Sequence, residues 1–226
     1  GRATGQNGGG AAVNPPRGMR DSLPAEKARR ERVLAVIRER YRAHGFDEIE
    51  TPVVEDYGRL HAGIGGDNEK LAYNILRRGM DADAIREAAD DPAALADLGL
   101  RYDLTVPLAR FYASHRGELP GGFRAIQVGP VWRAERPQKG RYRQFGQCDI
   151  DIIGKDELSI RYDAEVVAVI ASVFRELAVG PFVIQLNNRK LMRGFFERAG
   201  VVDSEQQMLV LREVDKLDKR GADYGR

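Results

Sequence analysis

The chain has 226 residues, with 36 Lys and Arg against 34 Asp and Glu, a net charge of +2 and 42% hydrophobic residues. This is ordinary globular usage, which excludes disorder for most of the chain and a surface that is basic all over. The single cysteine, Cys148, excludes a disulfide framework and a multi-cysteine metal site, and no apolar run approaches the roughly 18 residues that cross a bilayer. A reducing, cytoplasmic setting without a membrane partner is expected.

Residues 1–16 are rich in Gly, Asn and Pro and read as a disordered tail, ahead of a structured part over 17–226. Pro24 suits a first helical turn, Val33, Leu34, Ile37 and Tyr41 recur at helical spacing, and Gly45 ends that helix. Phe46 to Val54 reads as a strand that Pro52 confines to an edge or a bend. Residues 58–70 read as a Gly-rich loop, and the Ala- and Asp-rich stretch 81–98 as a surface helical insertion broken at Pro92. Thr105 is the expected N-cap of a helix with Leu108, Phe111, Tyr112 and His115 on one face.

Two strand-like segments follow, around 123–134 and 144–153, joined by a basic loop. In the second, Cys148, Ile150 and Ile152 face one way, and Gln147, Asp149 and Asp151 the other. A helix over about 160–178, a strand from Pro181 to Leu186 and a helix through Leu191, Met192, Phe195 and Phe196 come next. Ser204 and Gln207 then form a capping-box pattern ahead of a last helix. Mixed helices and strands, with the two best strands consecutive, predict an α+β fold: an antiparallel sheet flanked by helices.

The basic loop carries the chemistry. Arg136, Lys139, Arg141 and Arg143 crowd together where Pro137 and Gly140 bend the chain. A hairpin there would hold guanidinium groups, suited to phosphate oxygens, above a face bearing Gln147, Asp149 and Asp151, suited to an ammonium group. Phe145 on that face could stack on a base. A charged hairpin is equally what a solvated surface with weak ion pairs looks like, so spacing alone leaves both readings open.

Arg133-Ala-Glu135, followed by Arg-Pro-Gln-Lys-Gly-Arg-Tyr-Arg-Gln-Phe145, resembles motif 2 of class II aminoacyl-tRNA synthetases, in the version of the histidyl-tRNA synthetase family. Arg17-Gly-Met-Arg-Asp resembles that family's N-terminal signature, and Phe46 to Glu55 its dimer-forming motif 1. Leu100-Arg-Tyr-Asp-Leu-Thr-Val-Pro107 resembles its substrate-binding segment, and Leu186-Asn-Asn-Arg-Lys-Leu191 a further recurrent segment. The resemblance implies a class II catalytic-domain fold, ATP and Mg²⁺ (the ion carried on the phosphates, with no protein metal site), L-histidine, tRNA(His) and a homodimer. It implies a catalytic Arg133 on the α-phosphate, Glu135 on the adenine amino group, Arg141 on the terminal phosphates and Phe145 under the adenine. Asp103, Thr105, Gln147 and Asp151 would surround the histidine.

The same resemblance leads to the expectation that this is an N-terminal piece of a catalytic domain. A histidine-specific segment, motif 3 and an anticodon-binding domain have no counterpart in it. A histidyl-tRNA-synthetase-like regulatory subunit of ATP phosphoribosyltransferase is the alternative, and a domain binding nucleic acid nonspecifically a third reading. Elsewhere, packing roles are expected for Cys148, His115 and Trp132. The stretch Gly63 to Gly66 lacks the Lys-Ser/Thr of a P-loop and reads as a flexible loop. Asp149 shares the polar face without an assigned ligand.

Overall fold

The computed structural model describes residues 13–62 and 71–220. Most of the expected tail and the stretch Gly63 to Gly66 therefore lie outside the described residues. The chain divides into two units at Gly180 and Pro181.

In the first unit, Pro24 opens helix α1 (Pro24–Ala43), and Gly45 follows its C-cap at φ +77°, a conformation glycine adopts without cost. The expected strand over 46–54 is split into β1 (Asp47–Glu48) and β2 (Val54–Asp56). The cause lies between them: Pro52 has no N–H to give a ladder, and the carbonyls of Thr51 and Pro52 both accept from Arg101 Nη1. Helix α2 (Tyr57–His61) occupies the start of the stretch expected to be loop, capped by Asp56, which accepts from the Arg59 N–H.

Strand β3 (Tyr73–Leu76) has no signal in the sequence pattern beyond its alternating burial. The expected helical insertion is realised as α3 (Ala82–Glu87) and α4 (Pro92–Leu95), with Pro92 starting the second helix. Its last residues instead begin β4 (Ala96–Leu100), the middle strand of an antiparallel sheet ordered β2-β4-β3. Tertiary pairing overrides local Ala and Asp composition there.

Helix α5 (Thr105–His115) is capped by Asp103, not by Thr105: the Asp103 carboxylate accepts from the Thr105 and Val106 N–H groups at 3.2 and 3.3 Å. Strands β5 (Gly122–Trp132) and β6 (Gln144–Gly154) pair antiparallel along their whole length, from Gly122 opposite Gly154 to Trp132 opposite Gln144. β1 joins β5 in parallel, so the main sheet, ordered β1-β5-β6, is mixed where an antiparallel sheet was expected.

The sheet's two faces have different fates. On one, Ile126, Val128, Cys148, Ile150 and Ile152 pack against Ile37 and Tyr41 of α1 and Val169 and Val173 of α6 (Arg161–Glu176). Fully buried aliphatic side chains such as Ile126 and Val169 each contribute about 1.5–3 kcal/mol. On the other, one end is covered by Leu108, Phe111 and Tyr112 of α5, set against Phe123, Ala125 and Ile153. The rest of that face is polar. A bidentate pair from Arg124 to Glu165 (2.5 and 3.0 Å) ties β5 to α6, and Arg110 to the buried Glu55 (2.8 Å) ties α5 to β2.

In the second unit, residues 182–188 have no ladder partner among the described residues of that unit, so the expected strand from Pro181 to Leu186 is an irregular segment. Asn188 caps α7 (Arg189–Arg198) by accepting from the Lys190 N–H. α8 (Ser204–Arg220) is capped one residue earlier than expected: Asp203 accepts from Gln206, and Gln207 donates to the Val201 carbonyl instead of closing a box on Ser204.

Candidate active site

The strand alternation reads through to the site. Phe145, Gln147, Asp149 and Asp151 stand on the face of β6 opposite the Cys148 core, with Gly129, Gln127 and Ala125 as the cross-strand neighbours of the last three. Cys148 packs in the core, where burial pushes its thiol up, as expected of a structural cysteine. The His115 ring packs at a tilt against Phe111, centroids 4.8 Å apart, and meets Glu118 at 3.1 Å, a packing role again. Trp132 is half-buried at the strand end, its indole donating to Gln144 at 3.0 Å.

Beyond the strand ends, residues 133–143 form a loop pinned at several points. The Arg133 N–H donates to the Arg143 carbonyl and the Arg143 N–H to the Gly18 carbonyl. Arg143 Nε donates to the Glu135 carbonyl at 2.9 Å. Gly18, at φ +83°, lies so close that a Cβ there would sit 2.8 Å from Arg143 Cγ and 2.9 Å from Pro137 Cγ. Arg20 lies over the Tyr142 ring at 4.7 Å. The segment Arg17 to Arg20 is thus a clasp on the basic loop, which explains a glycine in that position.

Arg133, Glu135, Arg141 and Phe145 line one open cleft of about 240 Å³ with Gly140 and Tyr142. The Arg133 guanidinium lies 5.1 Å from the Phe145 ring centre, and its Nε donates to the Tyr102 carbonyl at 3.1 Å. Arg141, largely exposed, reaches Glu135 at 3.6 Å. Arg136 and Lys139 are exposed.

At the other end of the face the electrostatics change sign. Asp149 and Asp151 are half-buried, and both carboxyls are pushed up. For Asp149 the value is about 6, chiefly through burial, then through Asp151 and Asp103, with Arg133 acting against them. For Asp151 the causes are burial and then Asp103. Gln147 Oε1 is fully buried and has no hydrogen-bond partner among the described residues, a polar atom placed for a donor that a ligand can bring. Thr105 is exposed at the start of α5.

The structure thus brings Asp103, Asp151 and Arg133 into electrostatic reach of Asp149, and Asp103 into reach of Asp151. Asp149 is the residue sequence reasoning left out, although its place in the alternation with Gln147 and Asp151 was the available signal. The buried Arg101 was also passed over, because nothing in a sequence marks an arginine as internal. Chemically, the arrangement offers cations and an aromatic ring at one end and an acidic floor with an open acceptor at the other. Among the described residues no helix is long and apolar enough to cross a membrane, and no group of His, Cys, Asp and Glu is set to hold a metal ion.

Known proteins resemble this chain in sequence and fold. The family model described as Histidyl-tRNA synthetase matches residues 18–222. A protein of Leifsonia xyli subsp. xyli named Histidine--tRNA ligase is 55% identical over 213 residues, 93% of this chain and 49% of that protein. A crystal structure of histidyl-tRNA synthetase from Nostoc sp. PCC 7120 superimposes with a TM-score of 0.75 at 33% identity, over 94% of this chain and 43% of that one. A Bacillus halodurans structure titled as an ATP phosphoribosyltransferase regulatory subunit/histidyl-tRNA synthetase shares the fold, with a TM-score of 0.58 at 24% identity over 76% of this chain and 40% of that one. The chain spans about half the length of the curated relatives it matches.

Proposed function

This chain belongs to the histidyl-tRNA synthetase family, with the class II catalytic-domain fold, and on that premise we propose that the whole protein activates histidine with ATP and transfers it to tRNA(His). One observation carries the reading. The cleft of Arg133, Glu135, Arg141 and Phe145 adjoins, on the same strand face, an acidic floor with the unpartnered Gln147 acceptor.

In the first step a histidine carboxylate oxygen attacks the α-phosphorus of ATP. The bond from that phosphorus to the bridging oxygen breaks, and pyrophosphate leaves. In the second, a ribose hydroxyl of tRNA takes the acyl group and AMP leaves. Positioning and cationic stabilisation of phosphate charge supply the catalysis of the first step, so no nucleophile or general base is required of the protein. Arg133 is the catalytic cation on the α-phosphate, and Arg141 takes the terminal phosphates, with Mg²⁺ travelling on them. Glu135 accepts from the adenine amino group. Phe145 stacks on the adenine by the ring face that Arg133 leaves open.

Asp103 and Asp151 pair with the histidine ammonium, Gln147 Oε1 accepts one of its N–H groups, and Thr105 lies at the rim. The raised carboxyls of Asp149 and Asp151, pushed up by burial and then by neighbouring carboxylates, support this, because a bound cation offsets that repulsion. A homodimer through residues 46–55 and a cytoplasmic setting complete the reading, the latter supported by a lone cysteine kept as a buried thiol.

The test is histidine-dependent exchange of pyrophosphate into ATP by the full-length protein. Exchange that requires histidine, and is not supported by other amino acids, is the expected result. Absence of exchange, together with histidine-sensitive binding to ATP phosphoribosyltransferase, would replace this reading with that of a regulatory subunit.

A further inference from the structure

Arg101 follows β4 and is only 5% exposed. Its guanidinium meets carbonyl and hydroxyl oxygens alone. Nε donates to the Pro130 carbonyl at 2.9 Å, and Nη1 lies 2.9 Å from the Thr51 carbonyl, 3.3 Å from Thr51 Oγ1 and 3.4 Å from the Pro52 carbonyl. Among the described residues no carboxylate comes within ion-pair distance of it. Burial accordingly pulls its pKa down from the usual arginine value, with Glu50 acting against that. A buried cation without a counter-ion is costly, and an apolar side chain would fill the same space at lower cost. Retention of arginine therefore calls for something that only a planar, many-donor group supplies.

What it supplies is a three-way tie. The side chain grips the Thr51–Pro52 bend and the rim of β5. The Arg101 backbone repeats both connections, donating to the Val53 carbonyl and accepting from the Trp132 N–H, each at 3.0 Å. Gly129 makes room for this: a Cβ there would sit 2.5 Å from Arg101 Nη2. The residues that follow are those the site uses. The Tyr102 carbonyl is the seat of Arg133 Nε, Asp103 supplies a carboxylate, and the Leu104 carbonyl accepts from the buried Gln127, the cross-strand neighbour of Asp149. The Tyr102 hydroxyl, donating to the Leu60 carbonyl at 3.1 Å, fixes the same segment from the far side.

We propose that Arg101 is a positioning residue for histidine activation: by clamping the Thr51–Pro52 bend and the β5 rim, it sets the Tyr102–Asp103 backbone so that Arg133 meets the α-phosphate and Asp103 the histidine ammonium. It acts through Tyr102 and Asp103 and touches neither substrate. The inference rests on the proposed function. It also makes a distinction that a merely structural role does not. Glu135 and Arg141 hang on the 133–143 loop, which is clasped by Gly18, and Phe145 stands just beyond it on β6; the Arg101 side chain grips none of them. Loss of the clamp should therefore spoil the handling of histidine and the rate, and leave ATP affinity alone.

The experiment uses the full-length protein with Arg101→Lys and, from the other end of the clamp, Thr51→Ala. Pyrophosphate exchange is titrated separately with histidine and with ATP. A lysine offers one compact donor in place of a fork spanning two segments. Arg101→Lys is expected to lower kcat by about tenfold to a hundredfold, the scale of a small misplacement of reacting groups. With it the KM for histidine should rise severalfold while the KM for ATP holds. Thr51→Ala should shift the same two quantities, by less. If kcat falls only in proportion to the folded fraction measured by circular dichroism, with both KM values unchanged, Arg101 is a packing residue and the proposal is overturned. Unchanged kinetics in Arg101→Lys overturns it equally. Should Arg101→Lys fail to fold, Thr51→Ala decides by the same split. Failure of the wild-type protein to exchange at all would instead strike the proposed function, which keeps the two readings separable.

Discussion

Asp149→Asn should make the protein more stable at neutral pH and worse at holding histidine. The native carboxyl is pushed up from the ordinary 3.8 to about 6, first by burial and then by Asp151 and Asp103. At about 1.4 kcal/mol per pKa unit, that difference amounts to about 3 kcal/mol. Solvent screening of a half-buried group brings it to about 1–3 kcal/mol. The sign follows from proton linkage. The folded state binds the proton more tightly than the unfolded one, so the stability gained from that protonation is fully present below about pH 4. It is lost as pH rises to about 6 and stays lost above. Asparagine cannot ionise, so it removes this penalty. Urea denaturation of the wild-type and variant proteins from pH 4 to pH 8 measures the gap. It should be near zero at the acid end, open between pH 4 and 6 in favour of the variant, and stay constant above. In the same preparations, histidine affinity at pH 7.5 should fall, because the floor around Asp103 and Asp151 loses a neighbouring negative charge. A pH-independent stability difference, or a variant less stable than wild type at pH 7, would refute the electrostatic account of this floor.

Three further substitutions, at two positions, separate roles within the site. Arg133→Ala should lower the rate of adenylate formation by about 10²–10³-fold, the scale of a lost preorganised donor, with little change in histidine dissociation constant by equilibrium dialysis. Collapse of histidine affinity with the rate preserved would move Arg133 out of its phosphate role. Asp103 both caps α5 and faces the acidic floor, and the two functions come apart by substitution. Asp103→Asn keeps the cap and should leave the melting temperature nearly unchanged while weakening histidine binding; Asp103→Ala should do both, costing about 1 kcal/mol of stability as well. Equal melting temperatures for the two variants would remove the capping role.

The β5–β6 hairpin was legible because its information is local. An eleven-residue alternation, a bend at Pro137 and Gly140, and residue types matched to face specify register and chemistry together. Helices α1 and α6 were legible for the same reason, from apolar spacing closed by Gly45 and by the end of the run. What escaped depends on partners distant in sequence. β3 and β4 exist because each completes the other, though neither has a strand-like composition. Thr51 and Pro52 leave the strand because a side chain about fifty positions away takes their carbonyls. The caps of α5 and α8 were each misplaced onto a hydroxyl residue when a neighbouring aspartate, a comparable cap by intrinsic preference, won by backbone geometry. In the site, the loop residues were found through motif resemblance. The depth of Arg101 and the repulsion around Asp149 are properties of the folded environment alone.

That division has a physical consequence for how the site is built. β6 commits alternate residues to opposite duties, with Cys148, Ile150 and Ile152 anchoring the sheet to α1 and α6, and Gln147, Asp149 and Asp151 gathered on the bare face. Burying carboxylates and gathering them is unfavourable, as their raised pKa values record, and the compensation comes from the other side of the same strand, where tight aliphatic packing fixes the backbone that carries them. The cost of the acidic floor is therefore offset by residues that never meet a ligand. Loosening the core beneath β6 would let the aspartates move apart and relax before any substrate arrived. The repulsion stored between Asp149 and Asp151 is useful for binding only while that core holds, because a cation gains from carboxylates that cannot separate on their own.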